Sequence, residues 1–269
     1  MSRRAASPAL AVLAVALALA AGACVAGGAP DQGPRRPPAP AAQPARVLVL
    51  SKTAGFRHAS IPAGVRAIRA LGQRGGFAVD ATEDSGRISG NGLNQYRAVV
   101  FLSTTGDFLD GAEQEAVQRF VERGGGWVGI HAAADAERGW PWYETLVGAR
   151  FTRHPAVQPA TVHVTDRQHP ATAPLPAVWH RTDEWYDFDH DPRGTVHVLA
   201  TLDERSYRGG HMGADHPIAW CHTVGAGRSF YTAMGHTTES FSEALYLAHL
   251  LGAIRWAAGL EPGDCPAGS

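Results

Sequence analysis

The chain has 269 residues, 24 Lys and Arg against 25 Asp and Glu, and 13 histidines. Its charges nearly cancel and no basic cluster occurs past residue 45, which argues against a nucleic-acid partner. Beyond the N-terminal segments about 220 residues remain, enough for one domain with a sizeable core.

Residues 1–24 open with Met-Ser-Arg-Arg, continue as an Ala/Leu/Val run and end in Ala21-Gly22-Ala23-Cys24. Positive charge, a short apolar core and small residues before a cut form a secretory signal peptide, not a stable membrane span. Ala21-Gly22-Ala23 fits an ordinary cleavage site, and Cys24 also allows a relaxed lipobox with lipidation at that cysteine. The expectation is an exported cell-surface lipoprotein, with free secretion as the alternative. Any membrane contact would run only through an anchor at Cys24. Residues 25–45, rich in Pro, Ala and Gly, read as a tether. Residues 46–260 form the domain and 261–269 a C-terminal tail.

Arg46-Val-Leu-Val-Leu-Ser51 is a continuous apolar strand of the kind covered on both faces. Ser60 is placed to cap a helix with Pro62 in its first turn. Ile61, Val65, Ile68 and Leu71 form its apolar stripe, and Gly75-Gly76 ends it. Strands follow at 77–81 and 98–102. Asp110 with Glu113 starts a helix to Arg123, and 127–130 is a fourth strand. This alternation implies right-handed crossovers and a mostly parallel central sheet with helices on both faces, in a single α/β domain. Ligands of such sheets bind outside the carboxyl ends of the strands, here the loops at 52–58, 83–86, 103–107 and 131–135. The second half is less regular. Strands are expected at 161–165 and 196–201, an antiparallel pair at 217–224 and 229–233, and a last helix over 239–258.

With Cys24 lipidated or removed, Cys221 and Cys265 remain as an even pair, and export favours a disulfide between them. His58, His131 and His236 each sit at a glycine-containing strand-to-loop transition. Neutral imidazole with carboxylate suits either a transition-metal site or an acid/base pair. No local metal signature occurs, so a site for a divalent ion such as zinc has to be assembled from separate loops. Trp140, Trp142, Tyr143, Trp185 and Tyr186 either line a sugar site or cover the edges of a core. The elbow-like segment Gly129-Ile-His-Ala-Ala133 holds no nucleophile, so acyl-enzyme chemistry is not expected.

Five stretches together resemble the ThuA-like (trehalose-utilisation) family: Thr53-Ala-Gly-Phe-Arg-His58, Gly124-Gly-Gly-Trp-Val-Gly-Ile-His-Ala-Ala133, Thr182-Asp-Glu-Trp-Tyr186, Asp215-His-Pro-Ile-Ala-Trp220 and Gly235-His-Thr-Thr-Glu-Ser-Phe241. The resemblance implies a flavodoxin-like, three-layer fold similar to class I glutamine amidotransferases. His131 stands where those enzymes carry their cysteine, so glutaminase activity is not implied. It also implies carbohydrate metabolism, on trehalose-like disaccharides or keto-sugars. The family's polar positions fall on His58, His131, Asp183, Glu184 and His236.

On this reading His131, His58 and Glu184 are the catalytic candidates, with His131, His58 and His236 as candidate metal ligands. His236, Asp183, Trp185 and Trp142 are the candidates for binding a small carbohydrate. Acid/base or metal-assisted chemistry on a sugar is the leading expectation. The alternative is a non-catalytic cell-surface carbohydrate-binding protein.

Overall fold

A computed structural model describes residues 44–266. The expected signal segment, Cys24 and nearly all of the tether lie outside the described residues. Among the described residues no helix is long and apolar enough to cross a membrane.

The first half follows its hydropathy. β1 (Ala45–Leu50), β2 (Phe77–Thr82), β3 (Ala98–Leu102) and β4 (Gly126–Ile130) alternate with α1 (Ile61–Gly75) and α2 (Gly111–Glu122). Val47 to Leu50 and all of β3 and β4 are buried, as continuous apolar runs require when both faces of a sheet are covered. Ile61, Ile68 and Leu71 of α1 are buried, and each stabilises the packing by about 1.5–3 kcal/mol. Asp110 and Glu113 close the expected capping box. Ser60 does not cap α1. Its hydroxyl donates instead to the Gly235 carbonyl at 3.3 Å, tying the helix start to a distant loop.

The remainder comprises α3 (Pro141–Val147), β5 (Phe151–Arg153), β6 (Gln158–Val164), β7 (Val178–Asp183), β8 (Asp187–Phe188), β9 (His197–Asp203), β10 (Pro217–Val224), β11 (Gly227–Thr232) and α4 (Ala244–Ala257). A 3-10 turn over Glu239–Ser242 precedes α4, so the last helix begins later than its sequence suggests. β5 and β8 form a separate antiparallel ribbon.

Helices cover both faces of the large sheet. A Cβ on Gly126 would strike the Ala257 backbone of α4, and Gly64 of α1 lies against Leu102. Trp127, on the opposite face, meets Tyr143 of α3 edge-on at 5.9 Å.

The mostly parallel sheet expected from the sequence is not found. The nine strands run in the order β2-β1-β3-β4-β11-β10-β9-β6-β7. The four pairings from β2 to β11 are parallel, and the four from β11 to β7 are antiparallel. The cause lies in the connections after β4. Gly225-Ala226 joins β10 to β11 as a tight hairpin, which can link only antiparallel neighbours.

Four antiparallel steps return β7 to the direction of β11, so Asp183 and Glu184 emerge at the same edge as the ends of β1, β4 and β11. In a flat sheet β7 and β11 would stand about 19 Å apart, at roughly 4.8 Å per strand. Yet Asp183 Oδ2 accepts from the Gly235 amide at 2.8 Å, just beyond β11. The antiparallel half therefore rolls over until its outer strand meets the parallel half. That roll brings a carboxylate to the histidines.

Cys221 of β10 is bonded to Cys265 across 44 residues, fastening the tail to the sheet as expected. By restricting the unfolded chain, such a bond contributes about 2–4 kcal/mol.

Candidate functional site

The ends of β1, β4, β7 and β11 bring together His58, His131, Glu184 and His236, whose ligand atoms all lie within 4.8 Å of one another. His131 follows β4 directly and holds φ at 53°, a left-handed conformation rare for a side-chain-bearing residue. The turn has the geometry of a nucleophile elbow, but it presents an imidazole. Both cysteines among the described residues are tied up in the disulfide, and no thiol substitutes for it.

His131 is fully buried. Its Nδ1 lies 2.7 Å from the Ala233 carbonyl, which can only accept, so Nδ1 carries the proton and Nε2 the lone pair. That lone pair faces the Tyr186 hydroxyl at 2.9 Å, His236 Nδ1 at 3.1 Å and Glu184 Oε2 at 3.4 Å. His236 Nδ1 is also 3.1 Å from Glu184 Oε2. His58 packs edge-on against both His131 and His236, at 4.8 and 5.1 Å between ring centroids. Its Nδ1 is buried without a hydrogen-bond partner.

The charges follow from this packing. Burial pushes the Glu184 carboxyl up, but its close contacts with the His131 and His236 imidazoles outweigh it and bring the pKa down to about 2. The hydrogen bond to Glu184 raises His236 above its ordinary value despite burial. Burial, helped by the neighbouring imidazoles of His131 and His236, lowers His58 to about 3. Burial also holds the Tyr186 phenol well above its usual range, leaving it a neutral donor. At neutral pH the cluster thus offers the ionised Glu184 carboxylate and the neutral His58 imidazole, with the His236 Nδ1 proton held toward Glu184.

These shifts set a pH dependence. A histidine lowered on folding contributes stability that is full above 6.5 and is lost as pH falls toward about 3. Glu184 adds stability present above 4.5 and lost as pH falls through about 2. His236 has the opposite sign, its contribution present below 6.5 and lost as pH rises through its folded value. Urea unfolding of chelator-treated protein between pH 7 and pH 4 should show stability falling with acid. His58→Gln should flatten that slope, and an equal slope in the variant would contradict the assignment.

The other expected residues fall elsewhere. Asp183 is fully buried and occupied by the protein itself. It accepts from the Gly235, His236 and Glu184 amides at 2.8, 3.0 and 3.0 Å and pairs with Arg181 Nη2 at 3.1 Å. It was expected to bind substrate; it positions His236 and Glu184. Trp185 is fully buried with its indole N–H donating to the Gln158 carbonyl at 2.8 Å, so its ring belongs to the core and not to a ligand surface. Trp142 is half-buried and stacks on Trp140 at 4.9 Å.

Two residues that were not among the candidate site residues complete the cluster. Tyr186 donates to His131, and His154 Nδ1 lies 2.9 Å from Glu184 Oε1. Tyr186 lies in the same quoted motif as Glu184. His154 had only an adjacent proline to mark it.

A rolled, mixed α/β sandwich with a histidine–carboxylate cluster at its carboxyl edge defines the class of protein. Residues 46–257 match the ThuA family, described as trehalose utilisation, and the chain belongs to that family. Among solved structures it is similar to a ThuA-like protein from Bacteroides uniformis, 28% identical with a TM-score of 0.69, covering 82% of this chain and 95% of that one. A ThuA-like protein from Parabacteroides merdae is 22% identical with a TM-score of 0.68, covering 80% and 90%. A β-galactosidase from Bacillus circulans shares the fold alone, at 16% identity and a TM-score of 0.56, over 81% of this chain and 32% of that one. No curated protein matches the chain.

Proposed function

We propose that this chain is an exported member of the family that processes a sugar at a divalent transition-metal centre formed by His131, His236 and Glu184, with His58 beside them. The observation that carries this reading is one triangle. An ion about 2.0–2.1 Å from each of its tetrahedral ligands holds those ligand atoms roughly 3.3 Å apart. The three atoms here are separated by 3.1, 3.1 and 3.4 Å.

Further support comes from the surroundings. The Ala233 carbonyl fixes the His131 tautomer that leaves Nε2 free, the arrangement that orients metal-bound histidines. His58, whose Nδ1 has no hydrogen-bond partner, offers a fourth ligand atom in the same cluster. Two histidines and a glutamate suit zinc, and the disulfide is compatible with export.

A divalent ion there would polarise a carbonyl or activate water at neutral pH. The chain's own groups do the rest. Glu184 remains ionised, Tyr186 presents a neutral O–H, and His58 stays unprotonated beside them. Hydrolysis of a disaccharide, or proton abstraction next to a keto group, are the reactions these groups fit. The substrate class, trehalose-like disaccharides and their keto derivatives, comes from the family.

The test is product analysis with zinc-loaded protein on trehalose and its keto derivative. Turnover that a chelator abolishes and zinc restores is the expected result. Binding of both sugars with no product after long incubation would make the protein a binder instead.

A further inference from the structure

Three large apolar side chains are well exposed among the described residues: Phe56, Val157 and Val178. A single exposed apolar residue is ordinary on a protein surface. Phe56 differs from the other two in position and neighbours. It is 68% exposed, yet its ring makes a T-shaped contact with His58 at 4.9 Å, at the rim of the histidine–carboxylate cluster.

The loop carrying it is fastened. The amides of Ala54 and Gly55 donate to the Thr105 carbonyl at 2.8 and 3.3 Å, and the Thr105 hydroxyl donates to the Phe56 carbonyl at 2.7 Å. The aromatic ring is therefore presented by a fixed backbone, which lowers the ordering cost of binding on it. Beside it Arg57 Nη2 pairs with Glu83 Oε1 at 2.6 Å, bridging the loops that leave β1 and β2. His236 and His154, with side chains 26% and 40% exposed, reach solvent from the cluster.

We propose that Phe56 is the stacking platform of a sugar subsite at the mouth of the cluster, with the Arg57–Glu83 pair meeting the ring hydroxyls. The proposal rests on the carbohydrate reading above and adds the place where the sugar ring lies. A pyranose is amphipathic, with an apolar C–H face and a rim of hydroxyls. The electron-rich face of an aromatic ring complements the first, and a planar ion pair with both donors and acceptors complements the second. A few convergent polar groups around one aromatic surface are what fix the orientation of such a ligand.

Calorimetry with α,α-trehalose on the full zinc-loaded chain tests this. Phe56 is exposed, so its variants are expected to fold. Phe56→Ala should weaken trehalose binding about tenfold and Phe56→Leu nearly as much, while Phe56→Trp stays within about threefold of wild type. Equal affinity in wild type and Phe56→Ala would overturn the platform while leaving the carbohydrate reading standing. A Leu variant as tight as the Trp variant would overturn stacking. Loss of self-association in Phe56→Ala with unchanged trehalose affinity would make the residue a contact between copies. A wild-type protein that binds no trehalose would bring down the carbohydrate reading itself.

Discussion

His131→Asn is expected to bind zinc at least about 100-fold more weakly than wild type, because even the outer partners of metal ligands are worth 10–100-fold. Asparagine tolerates the left-handed backbone that this turn imposes, so the substitution tests the ring and not the turn. It removes the lone pair that faces His236 and Glu184, and it leaves the Tyr186 hydroxyl without its acceptor. The orphaned hydroxyl should cost about 1–3 kcal/mol of stability. Competition against a chelator measures the affinity, and circular dichroism confirms the fold. Unchanged zinc affinity in a folded variant would remove His131 from the ligand set.

Asp183→Ala is expected to lower unfolding free energy by about 1–3 kcal/mol or more in urea titrations, because it takes one of two carboxylates from a buried charge and the acceptor from buried amides. Arg181 is that charge. It is held between Asp183 and Glu243 at 3.1 Å each, and its guanidinium lies over Trp179 and Tyr246 at 4.8 and 4.6 Å. The alanine also strips the acceptor from the Gly235 and His236 amides, so zinc affinity should fall about 10–100-fold as His236 and Glu184 loosen. Asp183→Asn keeps one acceptor and should cost less. A loss below about 1 kcal/mol for the alanine variant would contradict the burial and pairing described here.

The parallel half was legible because β1, β3 and β4 are continuous apolar runs, and their ends located the edge where His58 and His131 stand. The antiparallel half was not. β7 reads Val-Trp-His-Arg-Thr-Asp, and its buried positions are Trp179, Arg181 and Asp183. Two of those three inward residues are charged, so the alternation is present in burial but absent in hydropathy. With β7 unseen, nothing in the sequence could disclose the roll that carries Glu184 to the histidines. Its membership came from the family motif alone.

That Trp185 and not its neighbour Tyr186 stood among the binding candidates has a similar cause. Neighbouring side chains point opposite ways, and the segment after β7 belongs to no strand long enough to set their parity. His154 reaches Glu184 through tertiary packing, which no local pattern encodes. The Ser60 hydroxyl shows the same limit at a helix start, where a distant carbonyl displaced the expected cap.

The most direct measurement is anomalous diffraction at the zinc edge from crystals of the zinc-loaded protein. A single peak about 2.0–2.2 Å from His131 Nε2, His236 Nδ1 and Glu184 Oε2 is the predicted result. A peak only elsewhere, with His131 still hydrogen-bonded to Tyr186 and His236, would contradict the metal centre.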